Sequence, residues 1–506
     1  MLAKVISGAN IGIESVPVTV EIDIASQGLP SFTLVGLADR AVEESRERVR
    51  SALKNTGADF PAKRITVNLA PADLPKVGPA FDLPIALGLL VASGQVVADL
   101  SDAMLVGELS LDGSLRSTNG VLAFTILAKS LGLKRIFVPI DNAKEAAVVD
   151  GIEVYGFENL LEVFNFLTGS LEKSPEPLSD LDLASELLYE YDFREIKGQN
   201  QAKRAMEIAA AGGHNVILKG PPGAGKTLLA RAFPSILPKL TKDEALEITK
   251  IYSVTGNLSK GSSLITTRPF RSPHHTASYV GIIGGGNNIK PGEVSLAHRG
   301  VLFLDELPEF PRQVLEALRQ PIEDRKVSIS RANGTLTFPC QFILLAAHNP
   351  CPCGFLGSLK KNCSCLPGQI ARYKKKISGP LLDRIDIHLD IPAVEVEKLT
   401  GEEVPEDSKT IRERVEGARK IQQKRFKGSS TITNSEMNNI QIKQYCEISR
   451  DALELLKMAI SQMNLSARSY YRVLKLSRTI ADLSNSEGIL PEHIAEALTY
   501  RYREEN

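Results

Sequence analysis

The run Gly220-Pro221-Pro222-Gly223-Ala224-Gly225-Lys226-Thr227 constrains the fold of this chain more than any other segment. It follows the apolar stretch Asn215-Val216-Ile217-Leu218 and precedes the helix-forming stretch Leu228-Leu229-Ala230-Arg231-Ala232. A strand, a glycine-rich loop and a helix in that order form the context of a P-loop. The glycines let the backbone wrap a phosphate chain with its N–H groups pointing inward, and the helix starting near Lys226 adds its positive end. Lys226 is then placed to reach the β- and γ-phosphates of a nucleoside triphosphate, and Thr227 to offer its hydroxyl to Mg²⁺. A Gly/Pro turn that merely happened to carry Lys-Thr would lack these flanks.

A second element extends this reading from binding to hydrolysis. Val301-Leu302-Phe303-Leu304-Asp305-Glu306 is four apolar residues ending in two acids, the pattern of a buried parallel strand delivering carboxylates to its C-terminal edge. Asp305 is expected in the Mg²⁺ shell, and Glu306 is expected to orient and deprotonate the attacking water. Strands often end in acids, so this pattern takes its meaning from the P-loop in the same domain.

The length of 506 residues suits two to four domains, and 43% apolar with 24% charged residues describes an ordinary soluble globular protein. No apolar stretch is long enough to span a bilayer, and the residues from Met1 to Gly8 lack a signal-peptide core. A cytoplasmic protein without a membrane partner is expected. Sixty basic and sixty acidic residues cancel, so a nucleic-acid partner would have to meet local basic groups in a groove or pore. Of six cysteines, Cys340 and Cys446 stand alone and read as small buried hydrophobes. Cys351, Cys353, Cys363 and Cys365 form two close pairs separated by nine residues. In a reducing compartment such pairs read as ligands for a structural Zn²⁺, with reduced structural cysteines as the alternative.

Three blocks follow one another. Residues 1–168 mix alternating strands (Val18 to Ile24, Arg64 to Leu69) with helices (Ala41 to Leu53, Phe81 to Val91). Residues 169–189 are polar and proline-punctuated, as in a linker. Residues 190–395 form the nucleotide block, and 396–506 read as helical, from Ile411–Phe426 to Pro491–Arg503. About eighty residues separate the P-loop from Asp305, more than a simple crossover needs, and they include the Gly/Pro-rich run Pro269 to Thr276 and Gly284-Gly285-Gly286. His274 and His275 lie in this insertion without neighbouring ligands at metal spacing, so hydrogen-bonding or DNA-facing loop histidines are expected. Val327 to Phe338 alternates around Asn333-Gly334, the pattern of a β-hairpin. Phe342 to Ala347 is a further buried strand leading to Asn349, whose amide can contact a γ-phosphate or position water. Arg384 precedes a strand, and Arg468 and Arg472 stand one helical turn apart.

Taken together, the chain resembles AAA+ ATPases of the magnesium-chelatase-like group, and within it the ComM/YifB competence-related proteins. The segments that carry the resemblance are Ala211-Gly212-Gly213-His214-Asn215 with the P-loop, Arg268 to His275, Gly292 to His298, Asn349 to Gly354, Ser378 to Asp386 and Ser466 to Arg472. The resemblance implies an α/β fold: an AAA+ P-loop NTPase core with an N-terminal Lon-protease-like α+β domain and a C-terminal helical lid domain. It implies that Asn349 is sensor 1, Arg384 the arginine finger and Arg468 the sensor 2 arginine. The insertion and the hairpin then correspond to a helix-2 insert and a pre-sensor-1 hairpin. A finger acting in trans makes the catalytic site an interface, and repeating that contact closes a ring, expected to be a homo-hexamer. In the first block, Pro75 to Ala80 and Val106 to Gly113 resemble the Lon-type peptidase domain. Ala80 stands where that domain has its serine, and Asn119 to Ala123 offers no lysine, so peptide cleavage is not expected.

The family implies ATP as substrate and a DNA motor, a branch-migration helicase acting on single-stranded, forked or branched DNA during natural transformation. Arg331 on the hairpin, Lys374 and Lys375 are the basic residues expected to meet DNA, with Arg412 to Lys427 as a further basic run. The alternatives are the motor subunit of a magnesium-chelatase-type complex and, more distantly, a remodeller related to ATP-dependent proteases.

Overall fold

Val18, Val20, Ile22 and Ile24 alternate with polar neighbours, and all four are buried. This period of two builds the first sheet of the computed structural model, which describes residues 2–179, 189–259, 261–286, 289–331, 334–357, 361–393, 405–463 and 466–501. Asn333, Arg503, residues 180–188 of the expected linker and the start of the expected lid lie outside the described residues. The chain forms two compact units, one of residues 1–184 with 241–266, the other of 185–240 with 267–506.

The first unit contains a mixed seven-stranded sheet. Its strands are β1 (Leu2–Ile11), β2 (Glu14–Ile24), β3 (Ser31–Val35), β4 (Arg64–Ala70), β5 (Ala103–Leu105), β6 (Arg135–Pro139) and β7 (Glu153–Phe157), in the spatial order β3-β4-β2-β1-β5-β6-β7. The helix Asp82–Ala92 packs on β1 and β2 and is buried almost all round, which explains its nearly unbroken apolar run. At its start, the buried carboxylate of Asp82 takes a two-pronged ion pair from Arg48, at 2.6 and 3.0 Å. The amphipathic run expected from Ala41 to Leu53 is split at Glu44 into Arg40–Glu43 and Ser45–Asn55, with Asp39 capping the first piece through the Val42 N–H.

The compact units do not follow chain order. The helix Lys242–Thr255 lies in sequence between two parts of the second unit but packs in the first. There Ser253 Oγ donates to the buried carboxylate of Glu145, which also accepts from the Leu122 N–H at 2.8 Å, and Lys250 meets Glu14 at 2.7 Å. The chain therefore passes between the units three times.

The second unit is an α/β structure around five parallel strands: β8 (Val216–Lys219), β9 (Phe270–Arg271), β10 (Val301–Leu304), β13 (Ile343–His348) and β14 (Ile387–Asp390), with a separate hairpin of β11 (Lys326–Arg331) and β12 (Gly334–Pro339). The spatial order is β9-β10-β13-β8-β14. Val216, Leu218, Val301, Phe303, Leu345 and Ala347 join one core with the helices Asn200–Gly212 and Lys226–Ala232. The C-terminal segment is helical: Ser408–Arg425, Asn439–Tyr445, Arg450–Met463, Ala467–Leu483 and Pro491–Thr499. Val473, Leu476 and Ile480 add its apolar stripe to the same core.

A buried ionic knot ties these helices together. Asp482, whose side chain is fully buried, accepts from Arg425 at 2.7 and 2.5 Å, from Asn434 Nδ2 at 2.7 Å and from Arg478 Nε at 3.0 Å. Removing the carboxylate strands two buried guanidinium groups. Asp482→Ala is therefore expected to lower stability by about 3–5 kcal/mol, read by urea unfolding, and a loss below about 1 kcal/mol would show that the arginines find other partners.

Candidate functional site

Because β8, β10 and β13 run parallel, all three end at one edge of the sheet. The edge carries the P-loop after Lys219, Asp305 and Glu306 after Leu304, and Asn349 after His348. Strand β13 lies between the other two, so Asn349 lies between the phosphate loop and the acids. The Gly220 N–H donates to the His348 carbonyl at 3.2 Å and pins the start of the loop to that neighbour. Gly223 and Gly225 take φ of 75° and 85°, a left-handed conformation that a side chain would strain.

Lys226 is the centre of the edge. Its Nζ donates to the Gly220 carbonyl at 2.6 Å, the Pro221 carbonyl at 2.9 Å and Asn349 Oδ1 at 3.0 Å. Burial lowers its pKa, while Asp305 and Glu306 act to keep it charged. Thr227 Oγ1 donates to Asp305 Oδ2 at 2.9 Å. Two oxygens on adjacent vertices of an octahedron with Mg–O bonds near 2.1 Å are about 3.0 Å apart. The Thr227–Asp305 pair therefore fits Mg²⁺.

Glu306 has φ 51°, a left-handed conformation uncommon for a residue with a side chain. Its carboxylate is exposed, and His275 Nδ1 lies 3.5 Å from its Oε2. His275 is held by His274, ring centroids 4.0 Å apart, and meets Phe310 edge-on at 6.4 Å. His274 Nδ1 pairs with Thr276 Oγ1 at 2.8 Å. The expectation of loop histidines in hydrogen bonds describes His274, whereas His275 belongs to the surroundings of the expected base.

The arginines gather elsewhere in the second unit. Arg384 Nε donates to Glu323 Oε2 at 2.9 Å, Nη2 donates to the same oxygen, and Nη1 donates to the Pro380 carbonyl at 2.7 Å. Arg384, backed by the charges of Arg468 and Arg472, holds the Glu323 carboxyl below the ordinary carboxylate range. Arg472 Nη1 donates to Asp386 Oδ1 at 2.5 Å, and His214 Nδ1 lies 3.2 Å from Asp386 Oδ2. Burial disfavours the charge on Asp386, but Arg472 and His214 outweigh it and keep the carboxyl well below its usual range. Among the described residues, no hydrogen bond or ion pair joins Arg384 or Arg468 to the Lys226 cluster.

The four paired cysteines converge. Their ligand atoms all lie within 4.8 Å of one another, with Sγ separations of 3.4, 3.6 and 3.5 Å for the pairs 351–353, 351–363 and 353–363. A tetrahedron with 2.3 Å Zn–S bonds has edges of about 3.8 Å. The N–H groups of Leu356 and Cys353 point at Cys351 and Cys365 sulfurs at 3.3 and 3.4 Å, which suits thiolate ligands. The set fits Zn²⁺. The loop also abuts the phosphate loop: a β-carbon on Gly354 would lie 2.6 Å from Pro222 Cδ. Cys340 and Cys446 are buried, and burial raises both thiols to about 12.

The basic residues divide into two groups. Arg331 pairs with Gly334 at the end of the β11–β12 hairpin, and Lys374 and Lys375 are exposed at the end of the helix Pro367–Lys374. The run Arg412 to Lys427 is largely engaged within the protein: Arg412 bonds the Ser235 carbonyl, Arg414 pairs with Glu207 and Glu406, Arg419 bonds the Ala210 carbonyl and Arg425 pairs with Asp482. No helix among the described residues is long and apolar enough to cross a membrane.

Three family descriptions match: "Magnesium chelatase, subunit ChlI" over residues 192–399, "Subunit ChlI of Mg-chelatase" over 20–142 and "Magnesium chelatase, subunit ChlI C-terminal" over 405–501. Competence protein ComM of Haemophilus influenzae is 44% identical, with 99% of this chain and 97% of the relative covered. The chain belongs to the magnesium-chelatase-like ComM/YifB family. The uncharacterised YifB of Escherichia coli is also 44% identical, over 99% of this chain and 97% of its own length. Lon protease 2 of Bacillus subtilis is 29% identical over 29% of this chain and 28% of its own length, so the likeness to Lon is partial.

Membership in this AAA+ family implies use of ATP and Mg²⁺. The chain also makes contacts among the expected functional residues that its sequence does not reveal. Arg384 is paired with Glu323, 61 residues away on another element. His275 was seen as a residue but not as a neighbour of Glu306. No local pattern announces either contact.

His348, the last residue of β13, and His388, within β14, are held neutral by burial, with pKa values lowered to about 4 and about 3. Below about 6.5 the unfolded chain takes up protons that these folded rings refuse, so folding stability is complete above that pH and declines as pH falls toward 4. Urea unfolding between pH 8 and 5 is expected to show this decline, with a shallower profile for the His348→Gln, His388→Gln double variant. An unchanged profile would mean that other groups set it.

Proposed function

We propose that this chain is an ATP-driven ring motor that moves DNA, a branch-migration helicase promoting integration of single-stranded DNA. The observation that carries the reading is the separation of the catalytic parts. Lys226, Thr227, Asp305 and Asn349 meet at one edge, while Arg384 pairs with Glu323 instead and Arg468 acts by its charge on the same carboxylate. A protomer whose Arg384 pairs with Glu323 and not with the Lys226 cluster needs the arginine of a neighbour, and a heterologous contact repeated around an axis closes a ring, here six copies.

In this reading the P-loop N–H groups from Gly220, Gly223, Ala224 and Gly225 cradle the β-phosphate, with Pro221 and Pro222 shaping the turn. Lys226 exchanges its carbonyl partners for phosphate oxygens. Thr227 and Asp305 hold Mg²⁺, which supplies charge neutralisation on the phosphates. Glu306 accepts the proton of the attacking water and Asn349 orients it. Arg384, from the adjacent copy, stabilises charge developing on the γ-phosphate, and Arg468, whose charge also acts on Glu323, comes from the same copy. Arg331, Lys374 and Lys375 meet the DNA backbone, and the first unit, with Ala80 in place of a nucleophile, serves as scaffold and not as a peptidase. The name of the Haemophilus relative, a competence protein, supports a role in DNA uptake.

Lys226→Ala is expected to abolish ATP binding, and Glu306→Gln to bind ATP but turn over at least about a hundredfold more slowly. Arg384→Ala should lose about 10³-fold or more in kcat and regain activity when mixed with Lys226→Ala, since one supplies the pocket and the other the finger. Forked DNA should stimulate hydrolysis. The matched chelatase descriptions favour a second reading, a metal-chelatase motor. Absence of any DNA response, with co-purification of a tetrapyrrole-binding partner, would select it.

We also assign Cys351, Cys353, Cys363 and Cys365 to a structural Zn²⁺. Purified protein is expected to contain about one zinc per chain by plasma mass spectrometry, and Cys363→Ser with Cys365→Ser to lose it together with thermal stability. Metal-free wild-type protein of unchanged melting temperature after chelation would leave the cysteines as simple thiols.

A further inference from the structure

Glu323 has no place in the P-loop chemistry, yet its carboxylate holds Arg384 and feels the charges of Arg468 and Arg472. A single oxygen, Oε2, accepts from both Nε and Nη2 of Arg384, and the Pro380 carbonyl accepts from Nη1 at 2.7 Å. A guanidinium has five N–H bonds. Three of those on Arg384 are engaged, which leaves one on each terminal nitrogen, the pair that takes a phosphate in a two-pronged fashion. The Arg384 side chain is 10% exposed and that of Glu323 is 53% exposed, so the ion pair reaches the surface of the unit.

The surroundings add charge of one sign. Arg472 is committed to Asp386 at 2.5 Å. Arg468 makes no hydrogen bond or ion pair among the described residues, but its charge acts on Glu323 along with those of Arg384 and Arg472. Arg384, Arg468 and Arg472 all act on Glu323, and positive charge gathered at this carboxylate suits an anion brought to this face. A long arginine side chain left loose would lose rotamer freedom each time it met a phosphate. Fixed at Nε, Nη2 and Nη1, it has lost that freedom in advance.

We propose that Glu323 is a positioning residue for catalysis: it holds Arg384 so that its remaining N–H edge meets the γ-phosphate of a nucleotide bound to a second copy of this chain. The inference rests on the reading above that Arg384 acts in trans, and it assigns to Glu323 the pre-organisation of that contact. Because the carboxylate is half-exposed, a merely structural ion pair here would contribute little to stability and nothing to turnover.

The test uses the full-length protein with Glu323→Ala, Glu323→Asp and Arg384→Ala, each measured for kcat, KM for ATP, melting temperature and activity after mixing with Lys226→Ala. Glu323→Ala is expected to lower kcat by about tenfold or more, a part of the 10³–10⁵ a finger supplies, with KM for ATP within about twofold of wild type. Glu323→Asp should restore part of the loss, and mixing with Lys226→Ala should raise activity as it does for Arg384→Ala, because in both cases the donated face is defective and the pocket sound. Glu323→Ala at wild-type kcat beside an impaired Arg384→Ala would overturn the positioning role and leave the shared site intact. A wild-type rate for Arg384→Ala would instead remove the shared site itself. A fall in melting temperature with no recovery on mixing would reduce Glu323 to a structural partner and overturn the inference.

Discussion

Lys219 lies opposite His348, and Leu304 opposite Ala346, in one continuous parallel register. That alignment places Gly220 level with Asn349 and Asp305 level with Ala347, two residues earlier on β13, and the short contacts of Lys226 and Thr227 follow from it. Sliding β13 by one residue would move Asn349 about 3.3 Å along the strand and turn its neighbours to the other face. The 3.0 Å contact from Lys226 to Asn349 would be lost. Apolar burial maintains the register: Val216, Leu218, Phe303, Leu345 and Ala347 interlock with the flanking helices, and none can leave its face without opening the core.

Around this edge, carboxylates place the cations. Asp386 holds His214 and Arg472, Glu323 holds Arg384, and Asp482 holds Arg425 and Arg478. Apart from Arg478 and Asp482, one helical turn apart, these pairs join residues far apart in the chain, and those of Asp386 and Asp482 are buried deeply enough that either partner alone would be costly. His214 extends the first of these links, since its Nε2 lies 2.8 Å from Thr479 Oγ1 on the helix Ala467–Leu483. The C-terminal helices are thereby bonded to the residues just before β8 and β14, and Arg472 takes its direction from Asp386, the acid that precedes β14.

Much of this was legible in the sequence, where the signal was local. The P-loop, the four apolar residues before Asp305, the alternation on either side of the hairpin turn and the two cysteine pairs all depend on spacings shorter than a single element or loop. Contacts between distant residues left no such trace. Ser253 bonds Glu145 and Lys250 bonds Glu14, which attaches 241–266 to the first unit although the chain places it between parts of the second. The basic run from Arg412 read as a surface for DNA because charge pattern does not reveal which partners lie across a helix interface. Arg414 and Arg425 turn inward to acids that only the fold brings near. Glu323 escaped notice for the same reason, being one acid among sixty until Arg384 is placed beside it.

Gly354 carries one more consequence. Its φ of 84° and the absence of a side chain let the cysteine loop lie directly on the ring of Pro222. The two loops thus share a wall with no slack, and a methyl group at position 354 would be enough to shift one of them. The path of the glycine-rich loop is therefore hemmed in by a neighbour whose own course is drawn around four converging sulfur atoms.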